Sequence, residues 1–71
     1  MAKLTYLEHN IQVLEAAFSK GREVRHDVLS SEFPNFQIIE KIENGVFRME
    51  CYGREMIFPR DFNPEVNWYI V

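Results

Sequence analysis

The sequence predicts an α+β fold, an N-terminal amphipathic helix packed on a curled antiparallel sheet of about four to five strands. Three observations carry this expectation. Apolar residues recur at helical spacing from Leu4 to Phe18. Two turn signals, Asn44-Gly45 and Gly53-Arg54, divide a strand-like stretch from Phe36 to Pro59. Two further alternating stretches, around Val24 and around Trp68, flank that meander.

The helix comes first. Thr5 and Glu8 form a T-x-x-E capping box. Gly21 follows Lys20, where a left-handed cap residue is wanted. Leu4, Leu7, Ile11, Leu14 and Phe18 follow one another three or four residues apart, and the last four fall within about 60° on a wheel. Tyr6, Val13 and Ala17 widen this stripe, while Glu8, His9, Gln12, Glu15 and Ser19 fill the opposite arc. Two heptads are too few for a stable coiled coil, so the stripe is expected to dock on the chain's own sheet. Leu14 and Phe18 are its expected core residues.

"REVRHDV" sets Val24, His26 and Val28 against Glu23, Arg25 and Asp27, which reads as a strand. A helix over residues 22–32 is the alternative. It would turn the fold into a winged helix-turn-helix, with the Asn44-Gly45 hairpin as the wing. "SSEFPNF" reads as a loop.

In the meander, a two-residue type I′ turn at Asn44-Gly45 pairs Glu43 with Val46. A regular ladder then sets Ile42 against Phe47, Lys41 against Arg48, Glu40 against Met49 and Ile38 against Cys51. A type II′ turn at Gly53-Arg54 pairs Tyr52 with Glu55, Cys51 with Met56 and Met49 with Phe58. Both turns place Phe36, Ile38, Ile42, Phe47, Met49, Cys51, Met56 and Phe58 on one face. The other face carries Gln37, Lys41, Glu43, Arg48, Glu50, Tyr52 and Glu55, with Ile39, Val46 and Ile57 among them. Glu40 falls on the apolar face, where an inward charge on an edge strand discourages edge-to-edge pairing. "RDFNPE" reads as a turn fixed by Pro64, and "VNWYIV" as a closing strand with Trp68 in the core. This order of elements is similar to that of Sm- and SH3-type barrels.

Bulk properties set bounds. The 71 residues make one small domain, 1–71, with little stability in reserve. Cys51 is the lone cysteine, so no internal disulfide forms, and no Cys/His spacing matches a structural zinc site. Lys and Arg total 8 against 11 Asp and Glu, a formal net charge of −3. That balance argues against indiscriminate binding to nucleic acid or anionic membranes. With no long apolar run and no signal-peptide pattern in "MAKLTYLEHN", the expected location is cytoplasmic.

No nucleophile elbow, P-loop, H-E-x-x-H or dinucleotide fingerprint occurs, so the chain is expected not to be an enzyme and to need no cofactor. Cys51 sits on the expected core face, where a thiol is inert. Glu23, His26 and Asp27 lack metal-site spacing.

Two surfaces remain as candidates. Ile39, Val46, Tyr52 and Ile57 on the outer face would serve a protein partner or a second copy of the chain. Lys20, Arg22, Arg25, Lys41 and Arg48, with Tyr52 for stacking, would serve a nucleic acid. The leading expectation is a non-enzymatic interaction module that self-associates and acts as an adaptor, regulator or inhibitor. A small nucleic-acid-binding domain is the second.

Overall fold

The computed structural model describes residues 5–27, 34–63 and 65–71. One helix packs against five antiparallel strands: α1 (Tyr6–Lys20), β1 (Val24–His26), β2 (Gln37–Glu43), β3 (Val46–Cys51), β4 (Arg54–Phe58) and β5 (Trp68–Ile70). The expected α+β class is what forms. β1 is a strand, so the winged alternative loses the helix it needs over residues 22–32. The readings made for Leu4, Val28, the loop residues up to Phe33 and Pro64 lie outside the described residues.

The helix ends are set by local chemistry. The Glu8 amide donates to Thr5 Oγ1 at 3.1 Å, and the Thr5 hydroxyl donates to the Glu8 carboxylate at 3.0 Å. At the other end Gly21 is left-handed, its amide reaching the Phe18 carbonyl, while the Arg22 amide reaches Ala17 at 2.8 Å. These paired bonds satisfy carbonyls the last turn leaves open.

The strands form two ladders. β1 pairs with β5, and β2, β3 and β4 form the meander. Val24 and Phe36 exchange two backbone hydrogen bonds, 2.9 and 2.7 Å, and so join β1 to the entry of β2. The two sheets do not close into a barrel. Side chains fill the gap: Trp68 meets Phe36, Phe62 and His26 edge-on at centroid distances of 5.3, 4.9 and 4.7 Å. Leu14, Val24, Phe47, Met49 and Phe58 complete the core.

The helix is rotated from its expected pose. Its buried residues are Asn10, Leu14 and Ala17. At 100° per residue their mean direction is about 60° from the centre of the predicted stripe. Leu14 is in the core as expected, but Phe18 is not. The cause is Asn10, whose Nδ2 donates to the Val66 carbonyl at 2.7 Å and whose Oδ1 accepts from the Trp68 amide at 3.0 Å. The carboxamide thus occupies the free edge of β5 as a neighbouring peptide group would, and turns the helix toward that strand.

The ladder of the first hairpin also departs from the regular one. Glu43 does pair with Val46, but Lys41 then pairs with Phe47, Glu40 with Arg48 and Ile38 with Met49. Ile42 and Ile39 are the extra residues of two bulges. The first bulge keeps Ile38 in the core while moving Glu40 to the outer face beside Arg48, which avoids burying a carboxylate. The second preserves the two-residue Asn44-Gly45 turn. Its consequences are that Lys41 comes to the helix side, where Nζ meets Glu15 Oε1 at 3.0 Å, and that Ile42 is 48% exposed. Gly45 is held tightly there: a Cβ on it would lie 3.0 Å from Ile11 Cδ1.

The second hairpin turns at Tyr52-Gly53, one residue earlier than predicted, with Cys51 opposite Arg54 and Met49 opposite Met56. Both turn residues have positive φ, 53° and 78°, as a type I′ turn requires. The pairing shifts by two residues, so every β3 and β4 side chain keeps its predicted face.

Candidate functional site

The four residues expected to form an outer apolar patch are not gathered into one. Val46 lies at the start of β3 and Tyr52 just beyond its end, about 20 Å apart at strand rise. Ile57 sits half-buried opposite Arg48, and Ile39 is a bulge residue on the other edge strand. Arg48 separates these two positions. Its guanidinium is 2.8 Å from Glu55 and 3.9 Å from Glu40, so the centre of the outer face is charged.

The basic residues are dispersed as well. Arg22 donates to the Val71 carbonyl. Arg25 donates to the Pro34 carbonyl at 2.8 Å and to Asn35 Oδ1 at 3.2 Å. Lys41 and Arg48, expected side by side, lie on opposite faces of the sheet and each meets a carboxylate. Lys20 is exposed in the last turn of α1.

Two surfaces stand out instead. The first is a flank of α1. Leu7 and Phe18 point from the same sector as Ile11 yet remain 37% and 42% exposed. The Glu15–Lys41 ion pair and the Ile11–Gly45 approach place the β2 hairpin along this flank. Residue spacing indicated the apolar sector but not which half of it the core would take.

The second is an open cleft of about 270 Å³ lined by Glu23, Pro34, Asn35, Gln37, Glu50, Cys51 and Tyr52. Tyr52 stands at its side, 81% exposed and in the left-handed region that non-glycine residues seldom adopt. Cys51 contributes to the wall but is otherwise buried, as expected. Arg25 fixes the Pro34-Asn35 wall through the two hydrogen bonds given above.

No family model, curated protein or solved structure matches the chain.

The remaining polar groups serve the fold. His26 is buried against Phe62 and Trp68, and burial lowers its pKa while Asp27 opposes that shift. Asp61 pairs with Arg60 and accepts the Ile57 amide at 2.7 Å, and these contacts hold its carboxyl below the usual range. Among the described residues no three His, Cys, Asp or Glu side chains converge as a metal site, and no helix is long and apolar enough to cross a membrane. Asn10, His26 and Phe62 were the residues that mattered most to the arrangement and were least marked in the sequence. For Asn10 the available signal was its spacing of four and seven from Leu14 and Ala17.

Proposed function

We propose that the chain is a non-enzymatic protein-interaction module that pairs with a second copy of itself through the exposed flank of α1, and that it acts by occupying surface. The observation that carries this is the second apolar sector of the helix: Leu7 and Phe18 stay exposed although Leu14 and Ala17 already fill the core. Eleven residues separate Leu7 from Phe18, about 16 Å along the axis. A two-fold axis would set Leu7 of each copy against Phe18 of the other, on either side of the point where the β2 hairpin meets Ile11, so the surface is complementary to itself. Ile42, on the hairpin that runs along this flank, adds a further exposed apolar side chain.

The sheet edges support this choice of surface. Asp61 covers the Ile57 amide on β4, Asn10 covers β5, and two bulges distort β2. A nucleic-acid role has less support, because Arg22, Arg25, Lys41 and Arg48 already hold carbonyls or carboxylates. Binding to a single-stranded oligonucleotide that falls steeply with salt would reverse that preference.

Sedimentation velocity tests the dimer. The wild type is expected to self-associate between about 1 and 100 μM, the range for a small interface. Leu7→Lys with Phe18→Lys should remain folded by circular dichroism and sediment as a monomer. A wild type that stays monomeric throughout that range overturns the proposal.

A further inference from the structure

We propose that the cleft beside Tyr52 receives an arginine or lysine side chain from a different protein. This deepens the interaction-module reading and rests on it, but uses a surface separate from the α1 flank. The row Gln37–Glu50–Glu55 runs directly across the three strands of the meander, which puts two carboxylates opposite each other. Such a like-charge pair is unfavourable unless something neutralises it. Arg48 neutralises Glu55 at 2.8 Å. Glu50 is half-buried and, among the described residues, its side chain makes no ion pair or hydrogen bond. Glu50 lines the cleft together with Glu23, whose carboxylate accepts from Asn35 Nδ2 at 3.5 Å.

The other lining groups fit the same ligand. Tyr52 offers an exposed aromatic face at the rim, the surface on which a guanidinium or ammonium group rests. The strained backbone at Tyr52 holds that ring at the tip of the hairpin. Gln37 adds a carboxamide able to bond the main chain of an incoming segment, while that of Asn35 already bonds Arg25 and Glu23. The Pro34-Asn35 wall is fixed by Arg25 before any ligand arrives. A volume of about 270 Å³ admits one long side chain rather than a folded element.

The test is a titration of the full chain followed by amide chemical shifts, using the blocked tripeptide acetyl-Gly-Arg-Gly-amide. Its citrulline counterpart, alike in shape but uncharged, is the control. The expected result is saturable shifts at Gln37, Glu50, Cys51 and Tyr52 in the millimolar range. Affinity should fall about tenfold with citrulline, and by a similar factor in Glu50→Gln, as loss of one charge-assisted contact implies. Tyr52→Leu, which leaves the carboxylates in place, should also weaken binding. Equal shifts for the two peptides, or no saturable shift, overturn the proposal. Spermidine binding tighter than the arginine peptide would also overturn it, in favour of a small-cation site. None of these outcomes depends on whether the chain dimerises, which sedimentation reads separately.

Discussion

The Asn10 carboxamide and the backbone around Trp68 are bonded as two strands would be. The Trp68 amide donates to Asn10 Oδ1 at 3.0 Å, and Asn10 Nδ2 donates to the Val66 carbonyl at 2.7 Å. One helical side chain therefore closes a strand edge and fixes the rotation of the helix.

Replacing Asn10 should be costly. Asn10→Leu keeps the branched skeleton, though with bulkier methyls, and orphans the Val66 carbonyl and the buried Trp68 amide, at about 1–3 kcal/mol for the buried group. Urea denaturation monitored by Trp68 fluorescence measures this. A loss below about 0.5 kcal/mol would mean that the two bonds contribute nothing net.

Leu14 and Phe18 should now behave differently, although the sequence treats them alike. Leu14→Ala removes a fully buried side chain and should cost about 2–5 kcal/mol. Phe18→Ala, measured at concentrations below dimerisation, should cost about 0.5 kcal/mol or less, as surface substitutions do. Equal losses at the two positions would place Phe18 in the core and remove the exposed flank.

Stability should decline in mild acid because of His26. Burial among Phe62 and Trp68 lowers its pKa from the ordinary 6.5, while Asp27 acts in the opposite sense. The folded state therefore binds fewer protons than the unfolded one. The stability this neutral imidazole secures is complete above about pH 6.5 and is lost as pH falls from there toward the folded value. Denaturant midpoints between pH 7.5 and 5.0 should fall for the wild type and fall less for His26→Gln. Parallel profiles for the two proteins would assign the acid sensitivity to the carboxylates instead.

The edge of β4 should open when Asp61 is truncated. Its carboxylate accepts the Ile57 amide at 2.7 Å. Asp61→Ala should speed hydrogen exchange at Ile57 by at least about tenfold, whereas Asp61→Asn, which retains an acceptor oxygen, should change it less. Unchanged exchange in the alanine variant would show that the edge is protected by other groups.

What was legible in the sequence was local or parity-preserving. The Thr5–Glu8 box and Gly21 act within one turn of chain, so their spacing sufficed. Misplacing the second turn by one residue moved the register by two, which leaves Met49, Cys51, Met56 and Phe58 on the same face. The bulges at Ile39 and Ile42 were not legible. They arise from a competition between a regular ladder and keeping Glu40 out of the core, and a turn signal alone cannot weigh those costs. The candidate surfaces suffered for that reason: Lys41 changed face, Ile42 came out, and the outer patch divided around Arg48. Asn10 escaped because its partners lie 56 and 58 residues further along the chain.

That separation has a consequence for how the chain acquires its structure during synthesis. Translation proceeds at about 5–20 residues per second, so roughly 3–12 seconds pass between Asn10 leaving the peptidyl-transferase centre and Trp68 being added. Throughout that interval α1 has no β5 to lean on, and a 15-residue helix is marginal by itself in water. The sector containing Leu7, Ile11, Leu14 and Phe18 is then available to whatever binds nascent apolar segments. Codon usage or chaperone supply acting in those few seconds would govern the yield of native protein without altering a single native contact.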